Sequence, residues 1–230
     1  MLNISTDTKI ISLVDPQILS IEIEENSEEL IDIIDQSDIL FGPSPEIPDN
    51  TDYTKMRKTV YLKLLEAQKN LPLGFKLCLY EGYRSLDLQK KLFEDRYNLV
   101  NSNNPTMEHN EIFWETAKLV SPVTNLDGSR NIPPHSTGAA IDVYLVDSNG
   151  EIIDMGIRAA DWMQDIDGSI SKTNSSIISL TAKHNRQIMS DALTKAGFVN
   201  YLGEYWHWSY GDRYWAYFSQ KSKAIYGTIL

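Results

Sequence analysis

Apolar residues recur every three or four positions in some stretches of this chain and alternate or run together in others, and that contrast predicts its elements. In YTKMRKTVYLKLLEAQKNL (residues 53–71), Met56, Val60, Leu64 and Leu71 share one helical face, which predicts a helix over the whole stretch, ended by Pro-Leu-Gly. SLDLQKKLFEDRYNLV predicts a second helix, with Ser85 as its N-cap, and MEHNEIFWETAKLV a third. In SLTAKHNRQIMSDALTKAGF, Ile188, Met189, Ala192, Leu193 and Ala196 form an apolar stripe, and Gly197 stands where a helix commonly ends in a left-handed residue.

Strands are expected where apolar runs are short. FKLCLYE (residues 75–81) reads as a buried strand and GAAIDVYLVD (138–147) as another, with Ser-Asn-Gly turning the chain into a hairpin with EIIDMG. TKIISLV (8–14) is expected to be a strand, and SEELIDIID (27–35) a short helix or strand. EYWHWSY and RYWAYFS, joined by Gly211-Asp212, read as two aromatic strands. FGPSPEIPDN and SPVTNLDGSRNIPP are loops, the first because its prolines block regular structure. Residues 156–176 form a long irregular stretch of the kind that lies over a site. Helices come first and most strands later. The expected fold is α+β in a single domain, residues 1–230, with a central antiparallel sheet and helices packed against it.

Apolar residues make up 42% of the 230 positions, enough for a substantial core. The formal net charge of −11, much of it in IEIEENSEELIDIIDQSD, argues against a nucleic-acid partner. The single cysteine, Cys78, excludes an intramolecular disulfide and a cysteine-rich zinc site; its apolar neighbours predict a small buried hydrophobe. MLNISTDTKI lacks the basic and apolar regions of a secretory signal, and no apolar run approaches the ~18 residues of a membrane span, so a cytoplasmic location without membrane partners is expected.

The chemistry gathers around PPHSTGAAIDVYLVD. A buried aspartate is costly unless something compensates its charge, and Asp142 is embedded in an apolar strand. His135 lies an odd number of residues away, so on one straight strand the two would face opposite ways; the Ser136-Thr137-Gly138 turn can bring them together. His207 meets the same parity problem with Glu204, which places Glu204 on a bend. Two imidazoles and a carboxylate with a fourth position open describe a catalytic zinc site. A core histidine bonded to a buried aspartate is the other reading of the same residues. His109 and His184 sit in polar helical sequence and are expected at the surface.

HSTGAAID and EYWHW resemble the His-x-x-Gly-x-Ala-x-Asp and Glu-x-Trp-His motifs of the D-alanyl-D-alanine dipeptidase family, zinc peptidases of the vancomycin-resistance type. That family belongs to a superfamily with D-Ala-D-Ala carboxypeptidases and the hedgehog signalling domain. EGYRS resembles its Gly-Tyr-Arg block, and the three blocks occur in the family's order, while residues 1–50 carry little of the likeness. The resemblance implies a hedgehog/D,D-peptidase-like fold and one Zn2+ per chain held by His135, Asp142 and His207. It further implies Glu204 as catalytic base and Arg84 as the group that stabilises the oxyanion. Tyr83, Ser136 and Trp206 become candidates for substrate contact.

The implied activity is hydrolysis of the D-Ala-D-Ala dipeptide. D,D- or L,D-carboxypeptidase action on peptidoglycan stems is one alternative, and a non-catalytic zinc-bearing binding domain another, which Glu204 and Arg84 argue against. Two departures stand out: Pro133 replaces a family serine that helps bind the substrate's amino end, and Glu81 replaces an aspartate before Gly-Tyr-Arg.

Overall fold

A computed structural model describes residues 10–229. At its centre is a five-stranded sheet in the order β3 (Leu40–Phe41), β5 (Lys76–Glu81), β6 (Ala140–Val146), β8 (His207–Ser209), β7 (Val199–Asn200). Its pairings are antiparallel except at one edge, where β3 runs parallel to β5. The fold is therefore α+β as expected, with its sheet corrected to mixed at that edge. Two small pairings lie outside it: β1 (Glu22–Ile23) with β9 (Lys223–Ala224), and β2 (Leu30–Asp32) with β4 (Lys55–Arg57).

Strand alternation decides what each face of the sheet does. On β6, Ile141, Val143 and Leu145 join Leu77 and Leu79 of β5 in the main core. They pack against Val60 and Leu64 of α2 (Lys58–Asn70) and Met189 and Leu193 of α5 (Leu180–Lys195). The intervening residues, Asp142 and Tyr144, belong to the opposite face, where Cys78 meets the Tyr144 hydroxyl at 3.1 Å. That face is walled by α3 (Leu86–Asn103), which packs against α4 (His109–Thr116). Helices thus flank both faces of the sheet. α3 starts where expected, with the Ser85 hydroxyl accepting from the N–H of Leu88.

Several elements differ from expectation for identifiable reasons. The helix expected over 53–71 begins only at Lys58, because Lys55–Arg57 pair with β2; Met56 is still fully buried, but from a strand. RYWAYFS is a helix, α6 (Arg213–Phe218), rather than a strand: the Asp212 carboxylate accepts from the N–H of Trp215 and nucleates the turn. A short apolar run does not distinguish strand from helix, and here the cap decides. The hairpin after β6 shrinks to one bridge, Val146 with Ile152. Of the strand expected over 8–14, Ile10–Val14 form none, although Leu13 and Val14 are buried, and Thr8 and Lys9 lie outside the described residues. Residues 27–35 yield β2 and a 3-10 turn. Just after Val14, α1 (Pro16–Leu19) is capped by Asp15. No helix among the described residues is long and apolar enough to cross a membrane.

Gly138 ends the 3-10 turn Pro134–Thr137 with φ of +69°, and a Cβ there would lie 2.5 Å from Leu30 Cδ2. Gly138→Ala should therefore lower stability by at least about 1–2 kcal/mol, the usual cost of forcing an L residue into the left-handed region. A lower urea midpoint with an unchanged slope would show it.

Candidate active site

β6 and β8 pair so that Asp142 stands directly opposite His207. Both side chains project from the face turned away from the main core. The 3-10 turn and left-handed Gly138 then swing His135 to the same side, which resolves the parity problem. His135 Nε2 lies 3.1 Å from His207 Nδ1 and 3.3 Å from Asp142 Oδ1, and His207 Nδ1 lies 3.1 Å from that same oxygen. All three side chains are buried. His135 Nδ1 donates to the Gly82 carbonyl at 2.8 Å, so the ring proton sits there and Nε2 turns a lone pair inward. Gly82 itself must be glycine because its backbone packs against β4, where a Cβ would lie 2.3 Å from the Lys55 carbonyl oxygen.

This donor set fits a metal ion. Tetrahedral zinc with ligand bonds of ~2.0–2.1 Å holds its ligand atoms about 3.4 Å apart, close to the spacing here. His207 Nε2 is buried without a hydrogen-bond partner among the described residues, so the proton on either nitrogen of that ring leaves the other incompletely satisfied. Burial alone would raise the Asp142 carboxyl, but the two imidazoles hold it well below the usual carboxylate range. Burial pushes His207 down, against the pull of Asp142, and so favours the neutral ring that a metal requires.

Glu204 sits on the bend between β7 and β8, as parity demanded. The Asn200 amide fixes that bend by donating to the Glu204 and His207 carbonyls. Glu204 Oε2 is 3.8 Å from His207 Nδ1. Burial raises the Glu204 carboxyl well above its usual range, and the charge of Asp142 adds to this, while Arg84 and Arg96 oppose it.

Arg84 follows β5 and faces the same cavity. Its Nε and Nη2 donate to Glu81 and its Nη1 to Gln89, so Glu81 and Gln89 orient it. Burial would favour loss of its proton, but Glu81, Asp142 and Glu46 more than offset that. A bulge between Leu79 and Glu81 breaks the strand alternation and aligns Glu81 with Asp142.

The cavity has a volume of about 30 Å3 and is lined by His135, Asp142, His207, Glu204 and Arg84 together with a rim from other segments. Leu13, Glu46, Tyr80, Gln89, Pro133 and Trp162 contribute to that rim. Trp206 also lines it and, with Trp208, belongs to the main core. Two expected substrate contacts do not reach the cavity wall. Tyr83 lies beside Asp52 and Lys55, with its N–H bonded to the Lys55 carbonyl. Ser136 is buried within the 3-10 turn. His109 and His184 are exposed, and His109 bonds the Tyr97 hydroxyl.

Sequence reasoning missed Glu46, Tyr80, Gln89 and Trp162. Gln89 had a signal, one helical turn beyond the Ser85 cap on the face that follows Arg84. Glu46, in a proline-rich loop far from every motif, had none.

A family model described as peptidase M15, D-Ala-D-Ala dipeptidase, matches residues 49–224. A D-alanyl-D-alanine dipeptidase of Synechocystis sp. is 23% identical over 221 residues, covering 86% of this chain and 88% of that protein. A D-alanyl-D-alanine dipeptidase of Escherichia coli is 34% identical over 134 residues, covering 58% of this chain and 54% of that protein. Among solved structures, the LD-carboxypeptidase LdcB is similar at a TM-score of 0.44 and 19% identity, over 86% of this chain and 76% of that one.

The raised Glu204 carboxyl has a consequence for stability. The folded protein holds a proton that the unfolded chain releases near 4.5, so stability falls as pH rises through the window between the two values, and the cost persists above it. Glu204→Gln should therefore raise the Tm of the metal-free protein at about pH 8, and the gain should vanish below about pH 4. Thermal melts across that range would show it.

Proposed function

The chain belongs to the M15 peptidase family, and we propose on that premise that it is a zinc-dependent dipeptidase that hydrolyses D-alanyl-D-alanine to two D-alanines. The observation that carries this reading is the buried triangle of His135, Asp142 and His207 with the Glu204 carboxylate beside it in one small cavity. The three would hold one zinc ion. Zinc bound there would polarise a carbonyl oxygen and lower the pKa of water at its open position toward ~7.

The chain's own residues supply the rest. Glu204 takes the proton of the attacking water and passes it to the leaving amine. Its environment suits that task, because desolvation and Asp142 raise its basicity above that of an ordinary carboxylate. Arg84 keeps its charge and uses only part of its five-donor fork on Glu81 and Gln89. The remaining N–H groups are free to hold the oxygen on which negative charge develops, a role whose loss typically costs ~2.7–4 kcal/mol of barrier. The dipeptidase description of the matching family and of the Synechocystis relative supports a dipeptide as substrate, and such an enzyme would remove or recycle a cell-wall fragment.

One observation favours a second reading. An open groove of about 970 Å3, lined partly by Tyr144, Met155 and Tyr205, shares Tyr80 and Ala159 with the cavity and could seat a longer stem peptide. That would suit a D,D- or L,D-carboxypeptidase.

D-Ala release from the dipeptide against a stem pentapeptide separates the two, and we expect release from the dipeptide alone. Glu204→Ala should abolish turnover yet retain near-stoichiometric zinc, whereas His135→Ala and His207→Ala should lose the metal. Zinc retained in both histidine variants, measured by elemental analysis, would sink the ligand assignment.

A further inference from the structure

We propose that Glu46 recognises the free ammonium group of the substrate and so selects a dipeptide over an N-blocked or longer peptide. This rests on the peptidase reading above.

Glu46 belongs to a loop that precedes the family match, which begins at residue 49. A turn closed by the Ser44 hydroxyl on the Ile47 carbonyl presents it, and its side chain lines the cavity alongside Arg84, Asp142 and Glu204. The hydrogen bond it accepts among the described residues comes from Trp162 Nε1 at 3.3 Å. Arg84 is the nearby buried cation, but the N–H groups it has placed go to Glu81 and Gln89, and no ion pair joins it to Glu46 among the described residues.

The other charged groups that bear on Glu46 are the acidic Glu81 and Asp142 and, from the surface, Lys91, whose ammonium is paired with Asp95 at 2.6 Å. Burial and Glu81 push its carboxyl above the usual range, against the pull of Arg84 and Trp162. A half-buried carboxylate with one hydrogen bond and acidic neighbours lacks a cation with several N–H donors, and a primary ammonium is such a cation.

The lining holds no other carboxylate free of a role. Asp142 and Glu204 already have roles in the proposed chemistry. Pro133, on another wall, has no hydrogen-bonding side chain. An N-acetylated dipeptide, or the interior of a stem peptide, carries no ammonium for Glu46 to hold.

The test uses the zinc-loaded full chain with D-Ala-D-Ala and N-acetyl-D-Ala-D-Ala as substrates. Glu46→Gln keeps the acceptor for Trp162 and removes the charge. We expect KM for the free dipeptide to rise at least tenfold with kcat little changed, and no loss on the N-acetylated substrate. Glu46→Asp should recover part of the difference. Equal losses on both substrates, or no change on either, would overturn the assignment. Calorimetric binding of D-Ala-D-Ala to Glu204→Ala, with and without Glu46→Gln, reads the same contact without turnover. A tenfold weaker Kd there supports Glu46 even if the native protein hydrolyses no dipeptide, an outcome that would sink the peptidase reading alone; an unchanged Kd would overturn the role of Glu46.

Discussion

The antiparallel register of β6 and β8 is the constraint from which the site follows. Because Asp142 stands opposite His207, a carboxylate and an imidazole meet on one face of the sheet, while Ile141 and Trp208, opposite each other one step along, enter the core on the other. A slip of one residue would exchange these sets, burying a charged pair among aliphatic side chains and exposing an indole. The apolar flanks of Asp142 thus do more than fill space, since burial of Ile141 and Val143 fixes the register that aims the carboxylate.

Compensation of charge is the second organising theme. Glu81, Asp142, Glu204 and Glu46 surround a space that Arg84 enters as the nearest cation. Each carboxylate is managed differently: Glu81 is paired with Arg84, Asp142 is held by two imidazoles, and Glu204 is pushed toward its neutral form. Such an arrangement is poorly balanced by protein groups alone and favours cations. The same burial that strains these groups strengthens their interaction with whatever positive charge enters.

Much of this was legible in the sequence because the evidence was local. The Ser85 cap, the Gly197 terminus, the buried strand at Cys78 and the turn between His135 and Asp142 each depend on neighbouring residues, and each is found in the structure. The convergence of His135, Asp142, Glu204, His207 and Arg84 was legible through motif resemblance, with parity explaining why a turn and a bend had to be there. What was not legible depended on partners distant in the chain. Met56 was read as helical because nothing local shows that β2 pairs with β4. Tyr83 was read as a site residue because it adjoins Arg84, yet its backbone N–H is tied to β4. Glu46, Leu13 and Trp162 reach the cavity through the folding of loops whose sequence has no periodicity to read.

β8 is the last strand of the central sheet to be synthesised, yet it is inserted between β6 and β7 rather than added at an edge. A chain still emerging from its site of synthesis therefore carries His135 and Asp142 without His207, and carries the cavity wall without Glu204. Two of the three ligand residues alone do not complete the triangle, and the contacts that complete it span 65 and 72 residues of sequence. The centre is therefore complete only once the C-terminal segment closes the sheet.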